Sequence, residues 1–320
     1  MISFLTKAAI AVSALAGMLI SAHADEYPCK TVRIVVPYAA GGPSDTGARL
    51  VSRPLSEILG ANVIVENRGG AGGLIGTEQA LQTAADGCTL LLGAVGPLVY
   101  IPSAKKVPYN PKADLVPLGL IWQSPLVLVA NPKLEIKSVI DFIAYAKSHT
   151  ATVASAGVGT NTHMASELFK REAGISLLHV PYKGTGAAMP DLISGQVDSI
   201  ISDVATMAPL IRDGRLVGLA VTAPDRSSLM PDIKTMAENG LPDARTENWY
   251  GLLVSSRTPP ALIARLKVAV SQSVATDEFV KGLAVQGAKV RDIGPEAFAN
   301  LIDSETKRWQ PIIRDSGIQF

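Results

Sequence analysis

Short apolar runs alternate with longer amphipathic stretches along almost the whole chain, the rhythm of strands followed by helices. Thr31–Pro37 reads as a buried strand, and a helix follows near Ser44–Leu59. Asn62–Glu66 is the next strand, then a helix from Leu74 to Thr83 and a strand at Thr89–Gly93. The pattern loosens between Pro97 and Pro125, where six prolines fall. It resumes with a strand at Leu126–Ala130, a helix at Ser138–Lys147, a strand at Thr152–Ser155 and a helix over Thr160–Ala173. Strands near Leu177–Val180, Val197–Ser202 and Leu216–Thr222 follow. After a polar stretch, Ala223–Glu247, come a strand at Trp249–Val254 and helices starting near Pro259, Asp277 and Pro295. Such alternation predicts an α/β fold with mostly parallel sheet flanked by helices. Two α/β units emerge, the second inserted into the first. The expected boundaries are 25–123 with 224–320 for one lobe and 124–223 for the other. The chain would cross between them near 122–131 and 216–223, a natural hinge beside a cleft.

The first 24 residues stand outside this scheme. Lys7 precedes the apolar run Ala8–Ile20, and Ala22-His23-Ala24 places small residues at the −3 and −1 positions of a cleavage site. This is the pattern of a signal peptide, and the run is short of the roughly 20 residues of a membrane span. Export implies an oxidising compartment. Cys29 and Cys88 lie at the starts of two strands that would be parallel neighbours, so a disulfide is the expectation, with two buried free thiols as the alternative. The bridge would close a loop of about 60 residues, worth about 4 kcal/mol in the chain-entropy picture.

At 320 residues, 48% hydrophobic and formal charge +1, the chain is globular, and its charge argues against nucleic acid as a partner. Chemistry concentrates in two Gly-rich turns from a strand into a helix. The first is Val36-Pro37-Tyr38-Ala39-Ala40-Gly41-Gly42-Pro43-Ser44-Asp45, and the second is Ser155-Ala156-Gly157-Val158-Gly159-Thr160-Asn161-Thr162-His163. Ligands of open α/β sheets bind where strand ends meet helix N-termini, whose N–H groups attract anions. Facing each other across a cleft, the two turns would suit a molecule with two carboxylates. Turns serving packing alone are the alternative reading. Asp45 could cap backbone N–H groups, and His163 could be a structural histidine. The other histidines have no metal-ligand spacing, so neither metal nor cofactor is expected. Gly69–Gly76 fails the dinucleotide fingerprint because Ile75 stands where its third glycine belongs. Val153 spoils a G-x-S-x-G elbow around Ser155, leaving Ser155 with His163 as the one pair an exported α/β hydrolase would use.

Four stretches in order are similar to those of the Bug (TctC-like) solute-binding proteins of tripartite tricarboxylate transporters. They are Arg33–Asp45, Val65–Gly76, His179–Asp198 and Leu216–Thr222 with Pro231. Ser155–Lys170 resembles the family's second ligand loop, and Trp249–Leu252 its late strand. The resemblance implies a monomeric, periplasmic, Venus-flytrap protein, not an enzyme, that delivers a small organic acid to a membrane permease. The acid would be a dicarboxylate, a tricarboxylate, an acidic amino acid or an aromatic carboxylate. The ligand set it implies is Tyr38, Ala39, Gly41, Gly42 and Asp45 in one loop, and Ser155, Gly157, Gly159, Thr160 and His163 in the other. Tyr182, Lys183 and Asp203 complete it. Ser202 replaces a frequent Phe and would open or polarise the pocket, and Gly93–Pro97 lacks a frequent hydroxyl, pointing to a less polar solute. A sensor feeding a membrane signalling partner would use the same closed form.

Overall fold

The computed structural model describes residues 27–318, so the signal-peptide reading of residues 1–24 lies outside the described residues. In chain order the first elements are β1 (Thr31–Val36), α1 (Pro43–Leu59), β2 (Asn62–Asn67), α2 (Leu74–Gln82) and β3 (Thr89–Ala94). A π-helical turn, Gly96–Tyr100, runs into the short α3 (Ile101–Ala104) and then β4 (Leu115–Ala130). Next come α4 (Val139–Ser148), β5 (Thr152–Ser155), α5 (Asn161–Ala173), β6 (Leu178–Pro181), α6 (Thr185–Ser194), β7 (Ser199–Asp203), α7 (Val204–Arg212) and β8 (Val217–Val221). The chain ends with β9 (Glu247–Ser255), α8 (Pro260–Val274), α9 (Asp277–Val285), β10 (Lys289–Ile293) and α10 (Pro295–Ser316).

Two-sided burial explains the strands. In β1, Val32, Ile34 and Val36 enter one core with Leu55, Trp122 and Phe279, while Val35 enters another with Leu91, Phe298 and Trp309. Ala48, Val51, Leu55 and Leu59 form the buried stripe of α1, at the spacing of one helical face, and Gly60 ends the helix at φ 65°. The Cys29–Cys88 disulfide is present, with Cα atoms 5.6 Å apart, and ties the start of β1 to that of β3.

The sheet order is β2-β1-β3-β9-β4-β7-β5-β6, with β8 and β10 also paired to β4. Strand β4 carries the two-lobed architecture. Residues 115–125 pair with β9, and Leu126–Ala130 pair with β7 and β8. Strands β1, β2, β3, β9 and β10 therefore form lobe 1 with the first part of β4, and β5 to β8 form lobe 2 with its end. Lobe 2 has its own two-sided core, with Leu126, Val153 and Ile201 on one face and Val127, Ala154 and Ile200 on the other. The polar stretch after β8 also packs here, since Met230 and Ile233 join one of these clusters and Met236, Leu241 and Ala244 the other.

Several elements differ from the sequence expectation. Strand β4 begins at Leu115, eleven residues before the expected Leu126, despite containing Pro117 and Pro125. Pro117 sits at a register shift, and Pro125 at the last pair with β9, positions where a missing N–H is tolerated. Helices α6 and α7 and strand β10 were not expected. Pro190 and Pro209 lie inside those two helices and mask their periodicity.

Candidate functional site

The loops after β1, β2 and β3 meet the loop after β5 between the lobes. A Cβ placed on Gly96 would stand 3.0 Å from the Gly72 carbonyl, 3.0 Å from the Tyr38 hydroxyl and 3.2 Å from the Gly159 carbonyl. One on Gly72 would stand 3.3 Å from the Val158 carbonyl. Absence of side chains lets the lobes approach at this junction. Behind it, Met164 and Leu168 of α5 are buried in the second core of lobe 1.

In the first loop, Tyr38 is half-buried, with its hydroxyl at the junction, and burial pushes its pKa up. Exposed Ala39 and Gly41 and half-buried Gly42 form the turn. Gly41 has φ +86°, and its N–H donates to Asp45 Oδ2 at 3.0 Å. Asp45 Oδ1 is 3.0 Å from Arg49 Nη2. Burial would raise the Asp45 pKa, but these contacts and Asn67 outweigh it and hold the carboxyl below its usual range. Asp45 is therefore occupied as a loop clasp. Helix α1 begins without a side-chain cap, and Thr46 is the first residue whose N–H bonds back, to Gly42 O. The N–H groups of Ser44 and Asp45 precede that ladder.

The second loop is shaped by its own polar groups. Ser155 Oγ accepts from the Gly157 N–H at 3.1 Å and lies 2.6 Å from His179 Nε2. The Ala156 N–H donates to Thr162 Oγ1 and the Gly159 N–H to His163 Nδ1. Gly157 adopts φ +128°, a conformation strained for any side chain. Thr160 is a residue type that commonly caps helices, yet its hydroxyl donates to the Gly157 carbonyl at 2.6 Å, leaving α5 with no side-chain cap. Met164 bonds back to Thr160 O, so the N–H groups of Asn161 and Thr162 lie ahead of the helical ladder.

His163 and His179 stack with centroids 3.9 Å apart. Burial, with His179 and Lys170 nearby, lowers His163 to a pKa of about 3. Burial and Lys170 lower His179 to about 4. Both rings are neutral at pH 7. The serine–histidine partnership thus joins Ser155 to His179, not to His163. Register could have indicated it, because β6 pairs with β5 so that Val153 faces His179 and Ser155 follows on the same side.

Tyr182 donates to Asp191 Oδ2 at 2.7 Å, and burial followed by that carboxylate pushes its pKa up to about 12. Lys183 is exposed. Ser202 is fully buried and pairs with the Thr185 hydroxyl at 3.1 Å, bracing the start of α6. Asp203 ends β7 opposite Leu126, where β4 changes lobes. Its Oδ1 accepts from Asn248 Nδ2 at 2.9 Å and Ser124 Oγ at 3.3 Å. Burial pushes its pKa up to about 6 against those two bonds. Burial, with Asp203 and Tyr38 of the first loop adding to it, pushes the pKa of the Tyr250 hydroxyl well up. A separate cavity of about 620 Å³ lies between α5 and α10, bordered by Arg171, Arg245 and Arg308 and by none of the expected site residues.

Two lobes joined by a shared strand, with glycine loops and uncapped helix starts brought together between them, define a protein of the periplasmic-binding class. The sequence profile of the tripartite tricarboxylate transporter family receptor, TctC, matches residues 47–318. BugT of Bordetella pertussis is 37% identical over 315 residues, 96% of this chain and 95% of BugT. MatC of Rhodopseudomonas palustris, solved with bound malate, is 32% identical with TM-score 0.83, covering 90% of this chain and 100% of MatC. An R. palustris protein solved with adipate is 29% identical with TM-score 0.84, over 91% of this chain and 99% of that one. The chain belongs to the Bug (TctC-like) family of periplasmic solute-binding proteins. These proteins bind solutes and are not enzymes, so the pair of buried Ser155 and half-buried His179 is architecture.

Proposed function

We propose that this protein is exported, loses residues 1–24, and captures a small dicarboxylic acid between its lobes for delivery to a tripartite tricarboxylate-type permease. The observation that carries the reading is the meeting of the loops after β1, β2 and β3 with the loop after β5, beside the uncapped starts of α1 and α5. Aligned N–H groups and the positive ends of two helix dipoles bind carboxylates without a buried cation. Neither Gly-rich loop contains Lys or Arg. In this reading the donors are the N–H groups of Ser44, Asp45, Asn161 and Thr162. Gly41, Gly157 and Gly159 shape the loops, since their N–H groups are engaged. Tyr38, Ala39, Gly42 and Thr160 line the cleft, with Asp203 at its hinge end. Malate and adipate in the two R. palustris relatives favour a dicarboxylate.

Closure turns on residues 124–125 of β4 and on Thr222 with Thr246. Thr222 bonds to Leu126 through both its backbone N–H and its side chain, and its Oγ1 donates to the Thr246 carbonyl at 2.6 Å. Packing of residues 223–246 supports placing the lobe boundary near Thr246. An acid touching both lobes stabilises the closed form through contacts the open form lacks. A thermal-shift screen of residues 25–320 against organic acids, with neutral sugars as controls, tests this. At 100 times its dissociation constant a ligand adds about 2.7 kcal/mol, a rise of roughly 4–5 °C for a chain of this size. A panel in which sugars shift the transition and acids do not would overturn the reading.

A further inference from the structure

Beneath the junction of the lobes, the Tyr100 hydroxyl donates to Asn161 Oδ1 at 2.6 Å, and both side chains are buried. The bond crosses between lobes. Tyr100 is carried inward from β3 of lobe 1 by the π-helical turn, and Asn161 is the first residue of α5 in lobe 2. The phenol's proton is directed to Asn161 Oδ1, which sets the carboxamide orientation. The oxygen faces Tyr100, and the nitrogen turns away from it.

That nitrogen meets no acceptor. Asn161 is 6% exposed, and its Nδ2 is buried with no hydrogen-bond partner. Buried amides ordinarily have their donors satisfied, because an unmade bond forfeits the hydration it replaced. On the same helical turn, the backbone N–H groups of Asn161 and Thr162 stand ahead of the helical ladder, and α5 has no side-chain cap. The unmatched side-chain group here, Asn161 Nδ2, is a donor. The matching ligand group is one that only accepts, and an ionised carboxylate, with about four lone-pair sites and no proton, is such a group.

We propose that Asn161 is a ligand-binding residue that couples capture to closure. Its Nδ2 donates to a carboxylate oxygen of the bound acid while its Oδ1 receives Tyr100 of the opposite lobe. This inference rests on the carboxylate reading above and adds a residue to it. Tyr100 reaches Asn161 only when the lobes meet, so closure orients the amide and the amide completes the carboxylate's bonds. A neutral solute leaves Nδ2 unmatched, which makes Asn161 a determinant of selectivity for acids.

The test uses titration calorimetry of the mature chain with malate, succinate and adipate as probes, on wild type, Asn161→Asp and Tyr100→Phe. Asn161→Asp keeps an acceptor for Tyr100 and replaces the donor with a negative charge, so binding should weaken by about 100-fold or more. Tyr100→Phe removes only the anchor and should weaken binding about three- to tenfold. A readout on the wild type guards against a variant that fails to fold. The Asn161 side-chain NH₂ resonances, assigned by selective asparagine labelling, should move when the best probe saturates the protein. Asn161→Asp binding within twofold of wild type, or unmoved NH₂ resonances at saturation, would overturn the role of Asn161 and leave the clamp standing. A wild type that binds none of the three probes would overturn the dicarboxylate reading, and this inference with it.

Discussion

Replacing Gly96 by alanine should weaken ligand binding without unfolding the protein. Gly96 is not in the left-handed region of backbone space, so a side chain is not strained there for conformational reasons. The added Cβ would lie 3.0 Å from the Gly72 carbonyl and the Tyr38 hydroxyl, both in lobe 1, and 3.2 Å from the Gly159 carbonyl of lobe 2. Ordinary contact needs a few tenths of an ångström more. Tyr38 can shift its ring, but relief of the Gly159 contact requires the lobes to part. Overpacking of close-packed sites costs about 1–3 kcal/mol. Assigning about 1–2 kcal/mol of that to the closed form predicts a dissociation constant raised about 5- to 30-fold. Calorimetric titration with the acid identified by the thermal-shift panel measures it, and small-angle scattering should report a smaller change on ligand addition than in wild type. Gly294→Ala is the control, since its Cβ would meet nothing within 4 Å. A Gly96→Ala protein that binds and compacts like wild type would refute the assignment of this junction to the ligand-bound form.

Reduction of Cys29–Cys88, or its replacement by two alanines, should lower stability by about 4 kcal/mol, read as a melting temperature lower by roughly 6–7 °C. An unchanged transition would contradict the bridge. Asp203 holds a proton up to about pH 6 in the folded chain, whereas the unfolded chain releases it near pH 4, so its contribution favours folding at low pH and is lost as pH rises through 6. Asp203→Asn should therefore stabilise the ligand-free protein by up to about 3 kcal/mol at pH 8 and leave it unchanged near pH 3.5, as read from urea midpoints. His163 and His179 act in the opposite sense. Both are neutral when folded, and the unfolded chain takes up their protons below about pH 6.5, so their contribution is present above that pH and lost as pH falls toward 3–4. A His163→Gln, His179→Gln double variant should flatten this acid limb, and an unaltered slope would show that other groups set it.

The alternation of apolar runs made most strands legible, because β1, β3, β5 and β9 are buried on both faces and their composition follows. It failed where backbone requirements are local. Prolines 117 and 125 read as breaks, yet one occupies a register shift and the other the point where β4 changes partners. The two Gly-rich turns were visible as chemistry, but not the use of their N–H groups. Which amide binds Asp45, Ser155 or His163 depends on φ at Gly41 and Gly157, and sequence shows only that glycine permits it. Asn161 lies inside the second Gly-rich turn, yet nothing in the sequence singles it out from its neighbours. Its partner, Tyr100, comes from the proline-rich stretch where periodicity gave no element, and 61 residues separate the two.

The most direct measurement is a crystal structure of the protein with the acid selected by the thermal-shift panel. The account predicts a carboxylate within hydrogen-bonding distance of the N–H groups of Asn161 and Thr162, the other end of the molecule reaching the Ser44–Asp45 turn, and the Tyr100–Asn161 bond intact. An acid found instead in the cavity bordered by Arg171, Arg245 and Arg308, with the glycine loops unoccupied, would contradict it.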